Sequence, residues 1–281
     1  MMVELLEKVA DCFLKINDVK PLVHHITNYV TANDQANLTL AIGARPIMAE
    51  HPDEIKSIIS RANCLLLNTG TINKEREKVL LKAAEIASEI SIPVLIDPVG
   101  VAASSVRRDL FLKLLDIRNI KIIKGNLAEI MTLSDGFTKP ESNSLGVDSF
   151  DDDVYFDDLD LIPILQEISK KYDAIVVVTA KEDLVVDENN AIKLHNGVAA
   201  LQNITGSGCI TASLIACCLA VEENHFLAAI SGVAVMGVCG ELADKKSAGP
   251  GSFRYKLFDE LYGLKREDIL RMVKLEVESF S

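Results

Sequence analysis

Residues 64–97, CLLLNTGTINKEREKVLLKAAEIASEISIPVLID, contain two short apolar runs separated by a longer segment of different periodicity. The runs CLLLN (64–68) and PVLID (93–97) are continuous, as in strands that are buried on both faces. Between them, residues 73–90 carry apolar side chains at helical spacing with charged residues opposite. The stretch therefore predicts a strand, a helix and a second strand, which is the repeating unit of a parallel sheet.

The same alternation continues along the chain. IKII (120–123) and AIVVVT (174–179) predict two further buried strands. DLVVD (183–187) and AIKLH (191–195) flank Glu188-Asn189-Asn190, which predicts a hairpin with a polar loop.

Helical patterns dominate both ends of the chain. The N-terminal MMVELLEKVADCFLKI (1–16) has acidic residues inside its apolar pattern, so it predicts an amphipathic helix rather than a signal peptide. Beyond residue 205 the sequence predicts helices only, at roughly 209–221, 224–244, 255–263 and 266–277. We therefore expect an α/β fold: a mostly parallel central sheet with helices on both faces and an antiparallel edge hairpin.

The composition is that of a globular protein, because 49% of the 281 residues are hydrophobic and 25% are charged. The chain has no clear linker and no internal repeat, so we expect a single domain over residues 1–281. The polar, acidic segment 138–160 predicts a solvated surface loop.

The net charge of −12 disfavours a nucleic-acid or anionic-membrane partner, because such partners require clustered lysine and arginine. Any phosphate ligand must be bound locally, by backbone amides, a few cations or a metal. No uninterrupted apolar stretch reaches the ~20 residues of a transmembrane helix. The six cysteines include no CxxC pair, so we expect buried, reduced thiols and a cytoplasmic protein.

Polar, turn-forming residues follow four of the predicted strands. They are Asn68-Thr69-Gly70-Thr71, Asp97-Pro98-Val99-Gly100, Lys124-Gly125-Asn126 with Glu129 shortly after it, and Thr179. Ligands of parallel sheets bind beyond the carboxyl ends of the strands, so these residues are candidates for one site. Each group alone is also what an ordinary turn requires. Asp97 suits a metal or a turn, and Glu129 suits a metal or a solvated helix face.

The glycine-rich turn NITGSGC (203–209) precedes a predicted helix. Gly206 and Gly208 allow backbone N–H groups to approach a ligand, and the helix dipole adds a partial positive charge. The alternative is an ordinary helix entry with Ser207 as N-cap and Cys209 as a small apolar residue. The turn is not a Walker-type phosphate loop, because no Gly-Lys-Ser/Thr sequence follows it.

Cys209 closes this turn, where a phosphate-transferring enzyme would need a group that accepts the proton of an alcohol. A thiol has a pKa of ~8.5, which a helix N-terminus lowers. Phosphoryl transfer has a loose transition state, so positioning of the alcohol matters more than its early deprotonation. We therefore interpret Cys209 as a candidate catalytic residue.

These residues resemble the hydroxyethylthiazole kinase family of the ribokinase-like superfamily. The most specific stretch is VHHITNYVTANDQANLTLAIGARPIMAEHPDE (23–54). It is followed in order by NTGT (68–71), IDPVGV (96–101), IIKGNLAEI (122–130), GVDS (146–149), ITGSGC (204–209) and GPGSF (249–253). The ordered set covers nearly the whole chain.

The resemblance implies an ATP-dependent kinase that phosphorylates the hydroxyl of 4-methyl-5-(2-hydroxyethyl)thiazole in thiamine salvage. It also implies a homotrimer with the thiazole at a subunit interface and ATP along the carboxyl edge of the sheet. Substrate contacts would fall to Met48, Gly206 and His25. Asn28 is either a further substrate contact or, with Thr27, a helix cap. Without the resemblance, Met48 and the histidines are ordinary packed residues.

The resemblance also assigns the nucleotide side of the site. Lys124 and Thr179 would contact ATP, with Gly208 and Asn126 beside them, and Cys209 would be the catalytic residue. Asp97, Glu129 and Asn126 would support Mg²⁺, as in the wider superfamily.

The sequence departs from the family pattern mainly near the nucleotide. Lys124 replaces the usual arginine, Ser207 the usual threonine, and Ala180 the usual glycine, while Ala102 and Ser105 stand in place of a glycine and a proline. Lysine keeps the charge but loses the planar fork of arginine. Two other functions therefore stay open: a kinase of another small alcohol, such as hydroxymethylpyrimidine or a vitamin B6 form, and a non-catalytic thiazole or nucleotide sensor.

Overall fold

The computed structural model describes residues 2–117, 119–134 and 158–278. Its strands are β1 (Leu22–Ile26), β2 (Arg45–Ile47), β3 (Cys64–Asn68), β4 (Val94–Asp97), β5 (Ile120–Asn126), β6 (Ile175–Thr179), β7 (Asp183–Val186), β8 (Ala191–Leu194) and β9 (Leu275–Glu278). Its helices are α1 (Met2–Val19), α2 (Ala32–Ala41), α3 (Ile55–Ile59), α4 (Lys74–Glu89), α5 (Ser105–Leu115), α6 (Leu127–Met131), α7 (Asp158–Tyr172), α8 (Ser207–Leu219), α9 (His225–Asp244), α10 (Pro250–Gly263) and α11 (Arg266–Met272).

The strands form one sheet in the order β2-β1-β3-β4-β5-β6-β7-β8-β9. Neighbouring strands from β2 to β6 are parallel, and β7, β8 and β9 continue the sheet in antiparallel pairs. The predicted α/β architecture is confirmed. The carboxyl ends of β3 and β4 lie side by side, with Asn68 opposite Asp97, and those of β5 and β6 also meet, with Asn126 opposite Thr179.

Three strands differ from the sequence-based expectation. We expected one helix over 266–277, but α11 ends at Met272. The following segment LEVE (275–278) forms β9, because it pairs with the edge of β8 that β7 leaves free. The predicted hairpin is therefore not the outermost element of the sheet. β1 and β2 are absent from the prediction, since β1 contains two histidines within its apolar run and β2 has only 3 residues.

The hydrophobic core lies on both faces of the sheet. Alternate residues of a strand point to opposite faces, so Cys64 and Leu66 of β3 join a cluster with α1, α2, α8 and α9, while Leu65 and Leu67 join a cluster with α3, α4, α5 and α7. This burial on two faces explains why the strands read as continuous apolar runs.

Helix α9 is long and apolar enough to cross a membrane, the one such helix in the described part of the chain, but 83% of its most apolar window is buried inside the protein. It packs on both α8 and α10 and has the character of a core helix. The predicted N-terminal helix is confirmed as α1. Most of the predicted loop 138–160 and the GVDS motif (146–149) lie outside the described residues, and residues 158–160 belong to α7.

Candidate active site

The glycine-rich turn forms the entry to α8. Gly206 is the N-cap of this helix and has a left-handed backbone (φ +82°), which glycine adopts without strain. A Cβ atom at Gly206 would lie 2.2 Å from Cγ2 of Thr31. The alternative expectation that Ser207 is the N-cap is wrong, because Ser207 is the first helical residue and no side chain caps the helix. The first N–H groups of α8 therefore have no capping side chain.

Lys124 brings a cation to the same place. It lies on β5, only 3% of its surface is exposed, and a Cβ atom at Gly208 would lie 2.9 Å from its Nζ atom. The ammonium group thus packs against the backbone of the first turn of α8. Both the helix N-terminus and the ammonium group attract anions, so together they form a candidate binding site for a phosphate group.

Two buried carboxylates surround this cation. Asp97, at the end of β4, is 1% exposed, and its Oδ1 atom lies 3.9 Å from Nζ of Lys124. Burial lowers the pKa of Lys124, but Asp97 and Glu129 outweigh burial, and the pKa is raised above its ordinary value. Lys124 is therefore protonated at physiological pH.

Glu129 and Asn126 form a capping box at the start of α6. Asn126 Oδ1 accepts the Glu129 N–H at 2.9 Å, and the two Glu129 carboxylate oxygens accept the N–H groups of Asn126 at 3.0 Å and Gly100 at 2.8 Å. Burial, followed by the charge of Asp97, raises the pKa of Glu129 to about 7. The expectation of a solvated Glu129 is wrong, because the side chain is buried and its carboxylate is held by the N–H groups of Asn126 and Gly100.

Cys209 lies one residue beyond Gly208 and is held by two amides. Its Sγ atom accepts hydrogen bonds from Asn28 Nδ2 at 3.4 Å and from Asn68 Nδ2 at 3.3 Å. Asn68 Nδ2 also donates to Asp97 Oδ2 at 2.8 Å. Asn68 thus connects the thiol to the carboxylate. Its position in the NTGT motif pointed to the sheet edge, but not to this contact with sulfur.

The expectation that the helix N-terminus lowers the pKa of Cys209 is wrong. Burial, followed by the negative charge of Asp97, raises this pKa to about 12, although the charge of Lys124, the nearby Thr31 side chain and the hydrogen bond from Asn68 act in the opposite direction. The resting group is therefore a thiol. The structure places Cys209 next to Gly208 at the N-terminus of α8, and its thiol is not acidic there.

Two residues of the site edge lie on β6 and β7. Thr179, at the end of β6, is half-buried and donates to the Gly125 carbonyl at 3.3 Å. Asp183 opens β7 and accepts the Ala180 N–H at 2.9 Å. Burial raises the pKa of Asp183 to about 7, although this hydrogen bond and the charge of Lys124 both lower it. Sequence reasoning missed Asp183, because it read these residues only as a strand of the hairpin.

Asn28 follows β1 and is 4% exposed. Its Oδ1 atom accepts the backbone N–H and the hydroxyl of Thr31, both at 3.0 Å. The alternative expectation that Asn28 and Thr27 cap a helix is wrong, because α2 begins at Ala32 with Thr31 as its N-cap. The Asn28 amide instead supports the loop between β1 and α2 and contacts Cys209.

His25 and Met48 lie on the β1–β2 side of the sheet. His25 is fully buried and Nδ1 contacts the Val23 carbonyl at 3.1 Å, while Nε2 has no hydrogen-bond partner. Burial lowers the pKa of His25 to about 4, so the ring is neutral. Met48 follows β2 and is half-buried. The structure brings neither side chain into hydrogen-bonding contact with Cys209 or Lys124.

Arg76, at the start of α4, is a further buried polar residue that sequence reasoning missed. It donates to the Thr27 carbonyl, pairs with Glu50 at 3.1 Å, and lies 4.7 Å from the ring centre of Tyr29. These contacts hold the loop that carries Asn28. Its place within a charged helical pattern gave no sign of burial.

The structure thus brings together Asn28, Asp97, Lys124, Glu129, Gly206, Gly208 and Cys209, with Asn126 and Thr179 at the edge. No three His, Cys, Asp or Glu residues within the described ranges form a group that could hold a metal. Asp97 and Glu129 nevertheless carry carboxylate oxygens, the type of ligand that Mg²⁺ prefers when substrate phosphates complete its coordination.

Comparison with known proteins supports a relationship over nearly the whole chain. A hydroxyethylthiazole kinase of Clostridium tetani is 38% identical over 264 residues, which are 93% of this chain and 95% of that protein. The structure of a hydroxyethylthiazole kinase protein from Pyrococcus horikoshii is similar with a TM-score of 0.85, at 30% identity, covering 96% of this chain and 99% of that chain.

A pyridoxal kinase of Staphylococcus aureus, solved with pyridoxal, shares the fold with a TM-score of 0.63 and 16% identity over 93% of this chain and 99% of that chain. The resemblance inferred from the sequence is confirmed by a family model, described as the hydroxyethylthiazole kinase family, that matches residues 13–267. This chain belongs to the hydroxyethylthiazole kinase family.

Proposed function

We propose that this chain transfers the γ-phosphoryl group of ATP to the hydroxyl of 4-methyl-5-(2-hydroxyethyl)thiazole, in thiamine salvage. Relatives of 38% identity carry the name hydroxyethylthiazole kinase. The observation that carries the proposal is the position of the Lys124 ammonium group beside Gly208, next to Cys209 at the N-terminus of α8.

The phosphates of ATP would bind at this N-terminus. Gly206 and Gly208 leave the backbone N–H groups accessible, and Lys124 neutralises negative charge that develops on the phosphoryl group. Thr179 and Asn126 would contact the nucleotide from the ends of β6 and β5. Burial strengthens these electrostatic interactions, because little water screens them.

The carboxylates beside Lys124 suit a divalent ion. We propose that Asp97 and Glu129 hold Mg²⁺, directly or through water, with Asn126 fixing Glu129 through the capping box. The ion would neutralise charge on the phosphates of ATP. The raised pKa of Glu129 supports this role, because a buried carboxylate that is costly to ionise alone is stabilised by a cation.

Cys209 would face the alcohol and accept its proton. Because the resting group is a thiol, the reactive form is the minor thiolate, which the Lys124 ammonium and the amides of Asn28 and Asn68 stabilise. A thiolate of high pKa is a strong base, which offsets its small population.

The thiazole would bind between the glycine turn and the β1–β2 side of the sheet, with Gly206, Asn28, His25 and Met48 as its contacts. We propose that a homotrimer completes this pocket at a subunit interface. The exposed apolar side chains of Tyr29, Val30 and Leu40, which are 66%, 63% and 57% exposed, support an interface beside Asn28. Light scattering of the purified protein tests the trimer, and a monomer that is fully active would contradict it.

We further propose that residues 1–281 form one domain and that the protein is cytoplasmic. Both core clusters pack on the same sheet, and all six cysteines are free and buried, as in reducing compartments.

A coupled assay of ATP consumption tests the reaction. We expect turnover with the thiazole alcohol at millimolar concentration, and a higher kcat/KM than with hydroxymethylpyrimidine or pyridoxal. Absence of turnover with every alcohol, together with binding of ATP or thiazole, would favour a sensor. A preference for another alcohol would reassign the substrate and keep the kinase.

A further inference from the structure

A chain of buried hydrogen bonds connects α2 to the carboxylate at the end of β4. Gln35 Nε2 donates to Thr31 Oγ1 at 2.7 Å, and Thr31 Oγ1 donates to Asn28 Oδ1 at 3.0 Å. Asn28 Nδ2 donates to Asn68 Oδ1 at 3.2 Å, and Asn68 Nδ2 donates to Asp97 Oδ2 at 2.8 Å. Every step runs in the same direction, from the glutamine towards the carboxylate.

Backbone contacts fix this direction at the two asparagines. The backbone N–H of Thr31 donates to Asn28 Oδ1 at 3.0 Å, and the Gly70 N–H donates to Asn68 Oδ1 at 2.9 Å. Either amide, if turned over, would place an NH₂ group against a backbone N–H. At the other end, the Ser213 hydroxyl lies 3.1 Å from Gln35 Oε1 and 3.2 Å from the Cys209 carbonyl oxygen, and donation to Oε1, the shorter contact, leaves the Gln35 NH₂ group for the threonines.

The direction decides what the sulfur of Cys209 meets. The two NH₂ groups of the chain, on Asn28 and Asn68, each use one hydrogen for the next acceptor and direct the other at Sγ. The sulfur is therefore an acceptor of two N–H donors. Donation to a thiolate favours the charged form, and it fixes the sulfur in space.

Gln35 is fully buried, and its side-chain hydrogen bonds join it to Thr27, Thr31 and Ser213. Burying an amide costs free energy unless it is hydrogen-bonded, and here Nε2 also donates to Thr27 Oγ1 at 2.7 Å, so both donors and the acceptor are engaged. Because Gln35 donates to Thr31, the single hydroxyl hydrogen of Thr31 remains directed at Asn28.

We propose that Gln35 is a positioning residue of the phosphoryl-transfer site, which orients Thr31 and Asn28 so that the Asn28 N–H group is held on the Cys209 sulfur. This inference rests on the proposed function for its effect on turnover. Its effect on the sulfur does not depend on that function.

Two substitutions test the proposal. Gln35→Met keeps the length of the side chain and removes its hydrogen bonds. Gln35→Glu keeps size and polarity but replaces the NH₂ donor by an oxygen, which attracts the Thr31 hydroxyl away from Asn28. If Gln35 acts only through general packing, Gln35→Glu should have a milder effect than Gln35→Met. If Gln35 orients Thr31, Gln35→Glu should have an effect at least as large as that of Gln35→Met.

The first measurement is the rate of Cys209 alkylation by iodoacetamide at fixed pH without substrates, followed on its own peptide by mass spectrometry. We expect this rate to fall several-fold in both variants, because a misoriented Asn28 no longer stabilises the thiolate. The second is steady-state kinetics, where we expect kcat to fall about 10- to 100-fold while KM for ATP stays within twofold.

Thr39→Val is the matched control. Thr39 lies on the same helix, is fully buried, and its hydroxyl donates to the Gln35 backbone carbonyl at 2.7 Å, outside the chain. We expect its alkylation rate and kcat to stay within twofold of the wild type. If Thr39→Val lowers the alkylation rate and kcat as much as Gln35→Met does, general loosening of the core explains both variants and the proposal is overturned.

Thr31→Val is the second test if the Gln35 variants do not fold. It keeps the side-chain shape and removes only the hydroxyl that links Gln35 to Asn28. Circular dichroism establishes that each variant is folded. An alkylation rate within twofold of the wild type in the folded variants overturns the proposal. If instead the wild type phosphorylates no alcohol but the alkylation rates differ as expected, the proposed function fails and the positioning role stands.

Discussion

The Nζ atom of Lys124 lies 2.9 Å from the position that a Cβ atom of Gly208 would occupy. The absence of a side chain at residue 208 therefore allows the buried ammonium group to rest against the first turn of α8. Gly208 has no left-handed backbone, so space, rather than conformation, is what requires glycine there.

Gly208→Ala should therefore displace the Lys124 ammonium group and weaken nucleotide binding. We expect kcat/KM for ATP to fall about tenfold, equivalent to ~1.4 kcal/mol, with a nearly unchanged melting temperature. Gly251→Ala is the control, because a Cβ atom there meets nothing within 4 Å near the start of α10. Equal ATP kinetics for Gly208→Ala and the wild type would mean that the position of the Lys124 ammonium group does not matter for nucleotide binding.

Substitution of Lys124 separates charge from shape. Lys124→Met leaves the buried carboxylates of Asp97 and Glu129 without their cation, so we expect kcat/KM for ATP to fall by at least about 100-fold. Lys124→Arg keeps the charge and supplies a planar guanidinium group, so we expect activity within about tenfold of the wild type. Steady-state kinetics of the two variants decide whether charge or shape matters. An equal loss of kcat/KM in Lys124→Met and Lys124→Arg would mean that the shape of lysine, not its charge, is required.

The raised pKa of Cys209 predicts a pH dependence of turnover. With a pKa of about 12, the thiolate fraction increases about tenfold per pH unit below that value. We therefore expect kcat to rise steeply between pH 7 and 9. Cys209→Ala should lower kcat more than it changes KM.

Cys209→Asp provides the contrast, because a carboxyl group ionises at a much lower pH than a thiol, even where burial raises its pKa to about 7 as at Glu129. Its kcat should therefore change much less with pH than that of the wild type over the same interval, and it should exceed the kcat of Cys209→Ala. A flat profile in the wild type would show that the thiol positions the alcohol and does not accept its proton.

Gly206 requires glycine for two separable reasons, its left-handed backbone and its contact with Thr31. Gly206→Ala should reduce the free energy of unfolding by about 2–4 kcal/mol, from backbone strain and overpacking. Thr31→Ser removes Cγ2, the atom that the new Cβ would meet, and keeps the hydroxyl. The double variant should recover part of the lost stability in denaturant unfolding, and recovery of none would mean that backbone strain alone is responsible.

Much of the fold could be predicted, because burial on two faces makes β3, β4, β5 and β6 visible as apolar runs. β9 could not, since LEVE (275–278) becomes a strand only through pairing with β8. The strand ends also predicted that Asp97, Lys124 and Glu129 lie at one edge of the sheet, and the structure brings these buried residues together there. Asn68 was identified from the sequence as part of the NTGT motif. Its contact with Cys209 could not be predicted, because the two residues are distant in sequence.

Buried polar residues inside helical patterns were the hardest to predict. Gln35 and Arg76 lie on α2 and α4 among polar or charged neighbours, and nothing local distinguishes them from solvated residues. Only the elements packed around them give their polar groups partners.

The sequence by itself determined the strands β3 to β8, the family, and the glycines at the entry to α8. These depend on periodicity, motif order and local backbone freedom, all of which are written along the chain. Only the tertiary structure decided that Cys209 is a resting thiol, that Lys124 is buried between carboxylates, and that hydrogen bonds run from Gln35 to Asp97. Ionisation and hydrogen-bond direction depend on burial and on groups contributed by different elements, and folding alone brings these together.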